Sequence, residues 1–199
     1  MCIICVSHSG IGQPTEKTIR AMFRNNPHGA GYMVARGGRV FIHKGFMDVE
    51  SFLRALKSEH FTKKDSVVYH FRISTQAGVN PEMTHPFPLS NRRDLMRELD
   101  VECACGVAHN GIIRMTSDPN EKKYSDTAIF ITDYLSRLVR KPADLRNPKI
   151  LSGIDLMARS KFAIMDAKGY VATVGDFYED YDGLLYSNTS FLPQSFRIK

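Results

Sequence analysis

The sequence of 199 residues contains no run of about 18 or more apolar residues, the length that a helix needs to cross a membrane. Its N-terminus also lacks the basic flank, apolar stretch and small-residue cleavage site of a secretory signal. We therefore expect a cytoplasmic protein without membrane association. Internal repeats, low-complexity tracts and flexible linkers are missing too, which predicts a single domain over residues 1–199.

Cysteine is scarce, with four residues at positions 2, 5, 103 and 105. Without a secretion signal, these cysteines are expected to be reduced thiols rather than a disulfide framework. Two close pairs also match the spacing of a structural zinc site. If residues 2–6 form a strand, however, Cys2 and Cys5 point to opposite faces, whereas Cys103 and Cys105 share one face of a later strand. We therefore expect no metal site.

Long blocks of basic residues are absent as well, although Lys and Arg outnumber Asp and Glu by 27 to 21 and the net charge is +6. The basic residues are scattered along the chain, and no RNA-binding or helix-turn-helix motif accompanies them. A positive net charge without a patch or motif is weak support for nucleic-acid binding. We expect no specific nucleic-acid partner.

Hydrophobic residues make up 43% of the chain, enough for a continuous core, and they follow strand and helix periods. Helices are predicted after the N-caps Thr15 and Asp48 and again from Ser125 to Pro142, with a helical or irregular segment over 143–158. Gly37 and Gly38 suit a tight hairpin turn. Strands are predicted at 3–6, 30–36, 39–45, 66–74, 101–111, 161–175 (a hairpin) and 183–191. Antiparallel hairpins with helices in separate blocks indicate a layered α+β protein.

The first residues, MCIIC, allow three interpretations: half of a metal site, a buried strand whose sulfur atoms fill space, or a nucleophile exposed by removal of Met1. Removal of Met1 would leave Cys2 with a free α-amine. That amine has a reference pKa of about 7.7–8.0 and cysteine one of about 8.5, so one residue would carry both a nucleophile and a matched base. Such a site needs neither a metal ion nor an organic cofactor.

Three polar segments, at residues 70–88, 108–113 and 124–130, stand out from otherwise apolar strands and indicate which substrate Cys2 could attack. Arg72, near a strand end, can hold a carboxylate through two parallel hydrogen bonds. Asp126, in the first turn of a helix, can bind an ammonium group. Asn110 and Gly111 offer a side-chain amide and a backbone N–H that could stabilise an oxyanion. The combination predicts an amino acid with a side-chain amide as the substrate.

Each of these residues also has a structural interpretation. Arg72 could pair with Glu102 or Asp126 at the edge of the core. Asn110–Gly111 is a common hairpin dipeptide and could simply turn the chain. Asp126 could be an acidic residue favoured by the helix dipole.

Four motifs occur together in one order, and this order resembles that of the class II glutamine amidotransferase domains, the N-terminal nucleophile type. The similarity covers residue 1 to about residue 130. In this chain the motifs are Met1-Cys2, then His70, Arg72 and Thr75 leading to His85-Pro86, then His109-Asn110-Gly111, then Ser125-Asp126-Thr127.

The resemblance implies a four-layer αββα sandwich in which two antiparallel sheets lie between helical layers. It implies that Cys2 attacks the side-chain amide of glutamine and that Asn110 and Gly111 form the oxyanion hole. Arg72 would bind the α-carboxylate and Asp126 the α-ammonium group of the substrate. Thr75 and His85 would line the glutamine pocket, although His85 could also be an ordinary loop histidine.

The chain departs from the family pattern near the pocket, with Gln76-Ala77-Gly78 after Thr75 and Met83-Thr84 before His85. Family members usually carry a synthetase domain that consumes the ammonia, which is expected here on a separate partner. Short free-standing proteins with this pattern are similar to ones from phage and bacterial genomes. The alternatives are a non-catalytic relative that acts as a binding or regulatory module, and an amidase for another amide.

Overall fold

The computed structural model describes residues 1–73, 79–114 and 123–196. Within these residues the strands form a seven-stranded sheet, in the order β10-β11-β1-β4-β2-β3-β6, and a four-stranded sheet, in the order β5-β7-β8-β9. All pairings are antiparallel. The strands are β1 Ile3–Ser7, β2 Ala30–Arg36, β3 Arg39–Phe46, β4 Val67–Phe71, β5 Phe87–Pro88, β6 Asp100–Cys103, β7 Cys105–Asn110, β8 Lys161–Asp166, β9 Val171–Val174, β10 Tyr178–Glu179 and β11 Leu185–Tyr186.

The helices lie in two blocks along the chain, one between the first strands and one after β7. They are α1 Glu16–Asn25, α2 Val49–Glu59, α3 Asp126–Phe130, α4 Ser136–Leu138 and α5 Pro148–Ala158, and a π-helical segment, Ile131–Leu135, joins α3 to α4. Short 3₁₀ turns occur at Pro81–Met83, Asp94–Arg97, Pro142–Arg146 and Gln194–Phe196. None of the helices in the described residues is long and apolar enough to cross a membrane.

Local sequence signals explain where several elements begin. The Thr15 hydroxyl accepts a hydrogen bond from Thr18 N at 3.2 Å, and the Asp48 carboxylate accepts one from Ser51 N at 2.8 Å, so both predicted N-caps are confirmed. Gly37 and Gly38 have φ angles of 56° and 76°, which close the β2–β3 hairpin.

Three hydrophobic clusters show how the layers pack. In β1, Ile3 and Cys5 face α1 and α2, whereas Ile4 and Val6 face the other sheet, as expected for alternating residues of a strand. The opposite face of the four-stranded sheet packs against the second helical block through residues such as Phe162 and Phe130. The predicted α+β class with two antiparallel sheets is confirmed, and the arrangement is compatible with a sandwich.

Segment 101–111 was predicted as one strand, and this prediction is wrong. The chain bends at Ala104, so that β6 pairs with β3 in the seven-stranded sheet and β7 pairs with β5 and β8 in the other. The expectation that Cys103 and Cys105 share a face is wrong for the same reason, because the two residues belong to different sheets.

Two element ends also differ from the prediction. The helical block that begins after Ser125 stops at Leu138, and Val139 is extended, so Pro142 opens the next 3₁₀ turn instead of ending this helix. The last strand is limited to Leu185–Tyr186. Beyond Tyr186, Ser187 still bonds Ile4 through its backbone N–H and its hydroxyl, and the Asn188 side chain contacts the Cys2 carbonyl.

Candidate active site

Cys2 lies just before β1, and its main chain is held from two sides. The buried side chain of Asn26 donates a hydrogen bond to the Met1 carbonyl at 2.9 Å, and Asn188 donates one to the Cys2 carbonyl at 2.6 Å. The thiol points toward the Ile73 carbonyl, 3.7 Å away. These contacts fix the backbone on both sides of the thiol.

The register of the sheet brings Arg72 next to Cys2. Ile3 pairs with Phe71, so Cys2 and Arg72 each lie one residue beyond the paired ends of adjacent strands. The Arg72 main chain is anchored by hydrogen bonds with Gly29 and His28, and the residue is only 6% exposed. A buried guanidinium at this position is placed to attract an anionic group.

The thiol, Arg72 and Asp126 influence one another electrostatically. Burial raises the pKa of the Cys2 thiol, the positive charge of Arg72 acts to lower this pKa, and the Asp126 carboxylate acts to raise it. Burial also lowers the pKa of Arg72, and Cys2 and Asp126 act in the opposite direction. The register of β1 and β4 thus places Cys2 next to Arg72, and the charge of Asp126 at the start of α3 acts on both.

Asp126 is the first residue of α3 and connects this helix to the segment after β7. Its carboxylate accepts hydrogen bonds from Thr127 N at 2.8 Å and from Ile113 N at 2.7 Å. Ser125 caps the helix by accepting from Ala128 N. The carboxylate thus has a local structural role in addition to its charge, as an acidic group at a helix N-terminus often does.

Asn110 and Gly111 lie at the end of β7, on the sheet that faces β1. Asn110 is 3% exposed, and its Nδ2 lies 2.9 Å from Ser187 Oγ, while its Oδ1 is buried without a hydrogen-bond partner. Gly111 is exposed and has a φ of 151°. Because β7 pairs with β5 and β8, Asn110–Gly111 does not turn a two-residue hairpin in the described part of the chain.

Three buried histidines support this end of β7. The rings of His70 and His85 stack with centroids 4.3 Å apart. His70 Nε2 lies 3.0 Å and His85 Nδ1 lies 3.1 Å from the His109 carbonyl oxygen. Burial lowers the pKa of His70 to about 3 and that of His109 to about 4, and it holds the pKa of His85 well below its usual range. With these pKa values the three rings are neutral at pH 7; those of His70 and His85 contact the backbone of β7, and that of His109 contacts the hydroxyls of Thr127 and Ser160.

The other predicted site residues have different outcomes. His85 lies in the loop between the Pro81–Met83 turn and β5, where it is 6% exposed and packs between His70 and Phe87, so it is a buried loop histidine. Thr75, together with the departure at 76–78, lies outside the described residues. The alternative pairing of Arg72 with Glu102 is wrong, because Glu102 pairs with Arg39 at 2.6 Å.

Several residues around the site were not identified from the sequence. Asn26 and Asn188 hold the backbone around Cys2. Ser187 contacts the Asn110 side chain. Ser160 contacts the His109 ring and the Asn110 carbonyl. The only signal for Ser187 and Asn188 is a polar pair directly after the apolar residues of the last strand. Ser160 and Asn26 carry no comparable signal.

The four cysteines do not converge. Cys5 lies in the cluster against α1 and α2, and Cys105 lies in the cluster on the far side of the other sheet. Their side chains belong to different cores, so one zinc ion cannot bind both. Over residues 1–73, 79–114 and 123–196, no group of three or more His, Cys, Asp or Glu side chains could hold a metal ion.

In comparisons with known proteins, no family model matches the chain and no curated protein matches it. The chemistry of the site is therefore inferred from its own residues and their arrangement.

Proposed function

We propose that the protein is an N-terminal cysteine amidohydrolase that acts on glutamine, a glutaminase of the class II glutamine amidotransferase type. One observation carries this proposal: the register of β1 and β4 places Cys2 next to the buried Arg72, and the Asp126 carboxylate also acts on the thiol. A cation and an anion beside a nucleophile match the α-carboxylate and the α-ammonium group of an amino-acid substrate.

In the proposed reaction, Met1 has been removed and the Cys2 α-amine takes the thiol proton. The sulfur attacks the side-chain amide carbon of glutamine and forms a C–S bond, and the negative charge moves to the amide oxygen. Hydrogen bonds from the Asn110 side chain and the Gly111 backbone stabilise this oxyanion. The protonated amine then gives its proton to the leaving nitrogen, so that the C–N bond breaks and ammonia departs.

Water completes the proposed cycle by hydrolysing the thioester on Cys2, which releases glutamate and restores the thiol. Arg72 and Asp126 hold the α-carboxylate and the α-ammonium group of the substrate. This fixes the distance between these two groups and the side-chain amide. We further propose that the layered sheets form an αββα sandwich of the N-terminal nucleophile hydrolase type, and that Thr75 and His85 contribute to the glutamine pocket. The ammonia is passed to a separate synthetase in the cytoplasm.

The test compares glutamate release by the wild type and Cys2→Ala, with Cys103→Ala as the matched control because Cys103 lies on the distant strand β6. We expect Cys2→Ala to lose at least about a thousandfold in rate, as expected when a covalent nucleophile is removed. The control should keep the wild-type rate.

Two results would contradict the proposal. One is undiminished glutamate release by Cys2→Ala. The other is an intact mass that shows Met1 still attached to a fully active protein, because a peptide nitrogen cannot accept the thiol proton. Loss of activity in Cys103→Ala as well would point to a general thiol effect and count against a specific role of Cys2.

A further inference from the structure

The orientation of the Asn110 side-chain amide conflicts with the burial of its oxygen atom. Ser187 Oγ already accepts a hydrogen bond from Ile4 N at 2.9 Å, and Asn110 Nδ2 approaches the same oxygen at 2.9 Å. In this orientation Asn110 Oδ1 is buried without a partner. The two lone pairs of the Ser187 oxygen can accept from both donors, so the unsatisfied group is the buried amide oxygen of Asn110.

Rotating the amide by 180° removes the conflict. Oxygen and nitrogen of an Asn amide are assigned from the hydrogen-bond network, and a hydroxyl can both accept and donate. In the rotated orientation Ser187 accepts from Ile4 N and donates to Asn110 Oδ1. Asn110 Nδ2 then occupies the buried position that is now unpartnered, where its N–H groups need an acceptor that a bound oxyanion would supply.

The Gly111 N–H is oriented by a second hydroxyl. Ser160 Oγ lies 3.2 Å from the Asn110 carbonyl oxygen and 2.6 Å from His109 Nε2. Thr127 Oγ1 lies 2.8 Å from His109 Nδ1. A neutral His109 with its proton on Nε2 allows a continuous chain in which Thr127 donates to His109, His109 to Ser160, and Ser160 to the Asn110 carbonyl.

A planar trans peptide points its C=O and its N–H in opposite directions. Because the Asn110 carbonyl is held toward Ser160, the Gly111 N–H points away from Ser160. Gly111 is exposed, and no hydrogen bond within the described residues uses its N–H. Ser160 also packs so closely on Gly111 that a Cβ atom at this position would overlap Ser160 Oγ.

We propose that Ser187 and Ser160 are positioning residues that orient the two donors of the oxyanion hole, Ser187 the Asn110 side-chain amide and Ser160 the Gly111 N–H. This inference rests on the proposed function. Both serines lie beyond residue 130, outside the part of the chain that carries the family motifs. The two donors, at Asn110 and Gly111, are thus oriented by hydroxyl groups from two other segments of the chain.

The kinetic test uses Ser187→Ala and Ser160→Ala, with the exposed Ser58→Ala as the control. Loss of one oxyanion donor costs about 10²- to 10³-fold in kcat, and misorientation of one donor should cost about 10- to 100-fold, with KM changed less than about twofold. Ser160→Thr, which keeps the hydroxyl, should recover most of the rate. The affinity of the alanine variants for glutamate should stay unchanged. Glutamate γ-semialdehyde adds the Cys2 thiol to form a hemithioacetal, and the affinity for this compound should fall in parallel with kcat.

An unchanged kcat in both alanine variants would overturn the inference and leave the glutaminase proposal intact. A second measurement does not depend on activity. In the wild type, the Asn110 side-chain NH₂ protons should show no nuclear Overhauser effect to the Ile4 amide proton, because Nδ2 faces away from Ser187. A strong effect between these protons overturns the inference even if no glutamine is hydrolysed, and its absence supports the proposed orientation in that case too.

Discussion

Replacement of Arg72 by lysine separates substrate binding from chemistry at the proposed site. Arg72 is 6% exposed at the end of β4, and its charge acts on the Cys2 thiol. Lysine keeps the positive charge but has no planar fork, so it cannot make two parallel hydrogen bonds to one carboxylate. The substitution therefore removes about one charge-assisted hydrogen bond to the substrate α-carboxylate.

The size of the effect follows from the energy of that bond. A hydrogen bond to a charged group contributes about 1.5–3 kcal/mol, and about 1.4 kcal/mol corresponds to a factor of ten. We expect KM for glutamine to rise about 10- to 150-fold. The α-carboxylate keeps the same contact from ground state to transition state, so kcat should change less than about twofold.

The assay measures glutamate release over a range of glutamine concentrations for the wild type, Arg72→Lys and the exposed control Arg24→Lys. A second substrate, the decarboxylated analogue of glutamine, lacks the group that Arg72 is proposed to bind. The wild type should prefer glutamine strongly, and Arg72→Lys should lose most of this preference. If kcat falls while KM stays constant, or if the preference survives, Arg72 does not bind the carboxylate.

Two further predictions concern stability. Burial lowers the folded-state pKa of His70 to about 3 and that of His109 to about 4, below the unfolded value of about 6.5. Their contribution to stability is therefore complete above about pH 6.5 and is lost as the pH falls toward these folded-state values. For each histidine, the free energy of unfolding should fall by about 2 kcal/mol between pH 7 and pH 5. In urea unfolding, His70→Gln should lose less stability over this pH range than the wild type. Equal losses would refute this. Gly111→Ala, whose Cβ would overlap Ser160 Oγ at a φ of 151°, should lower the free energy of unfolding by at least about 2 kcal/mol. Gly38→Ala, which has a positive φ but open space around Cβ, should lower it by about 1 kcal/mol in the same measurement. Equal costs would show that the contact with Ser160 is unimportant.

Local signals in the sequence were sufficient for much of the fold. The N-caps at Thr15 and Asp48 and the turn at Gly37–Gly38 depend on residues within three or four positions of each other, and all are confirmed. The division of 101–111 between two sheets could not be predicted in this way. Both halves are extended, and only their partners, β3 for β6 and β8 for β7, decide the sheet to which each half belongs.

The residues of the candidate site also differ in whether the sequence alone can identify them. Cys2, Arg72 and Asp126 could be selected from the sequence because each has a chemical group that suits an amino-acid substrate. The residues that orient the site could not, because their contacts span most of the chain: Asn188 reaches the Cys2 carbonyl across 186 residues, and Ser187 reaches Ile4 across 183. A serine or asparagine has no distinctive sequence pattern when its role depends entirely on tertiary contacts.

Burial of Cys2 determines what kind of catalysis the proposed site can perform. Because burial raises the pKa of the thiol, the thiolate is a minor form near neutral pH, and the proton must leave as the sulfur attacks. The three buried histidines at the end of β7 are unsuitable as bases, since burial holds their pKa values far below neutrality. A free α-amine on Cys2 has a suitable reference pKa of about 7.7–8.0 and lies on the same residue as the thiol. Cleavage of the Met1–Cys2 bond is therefore the step on which the activity of the proposed site depends.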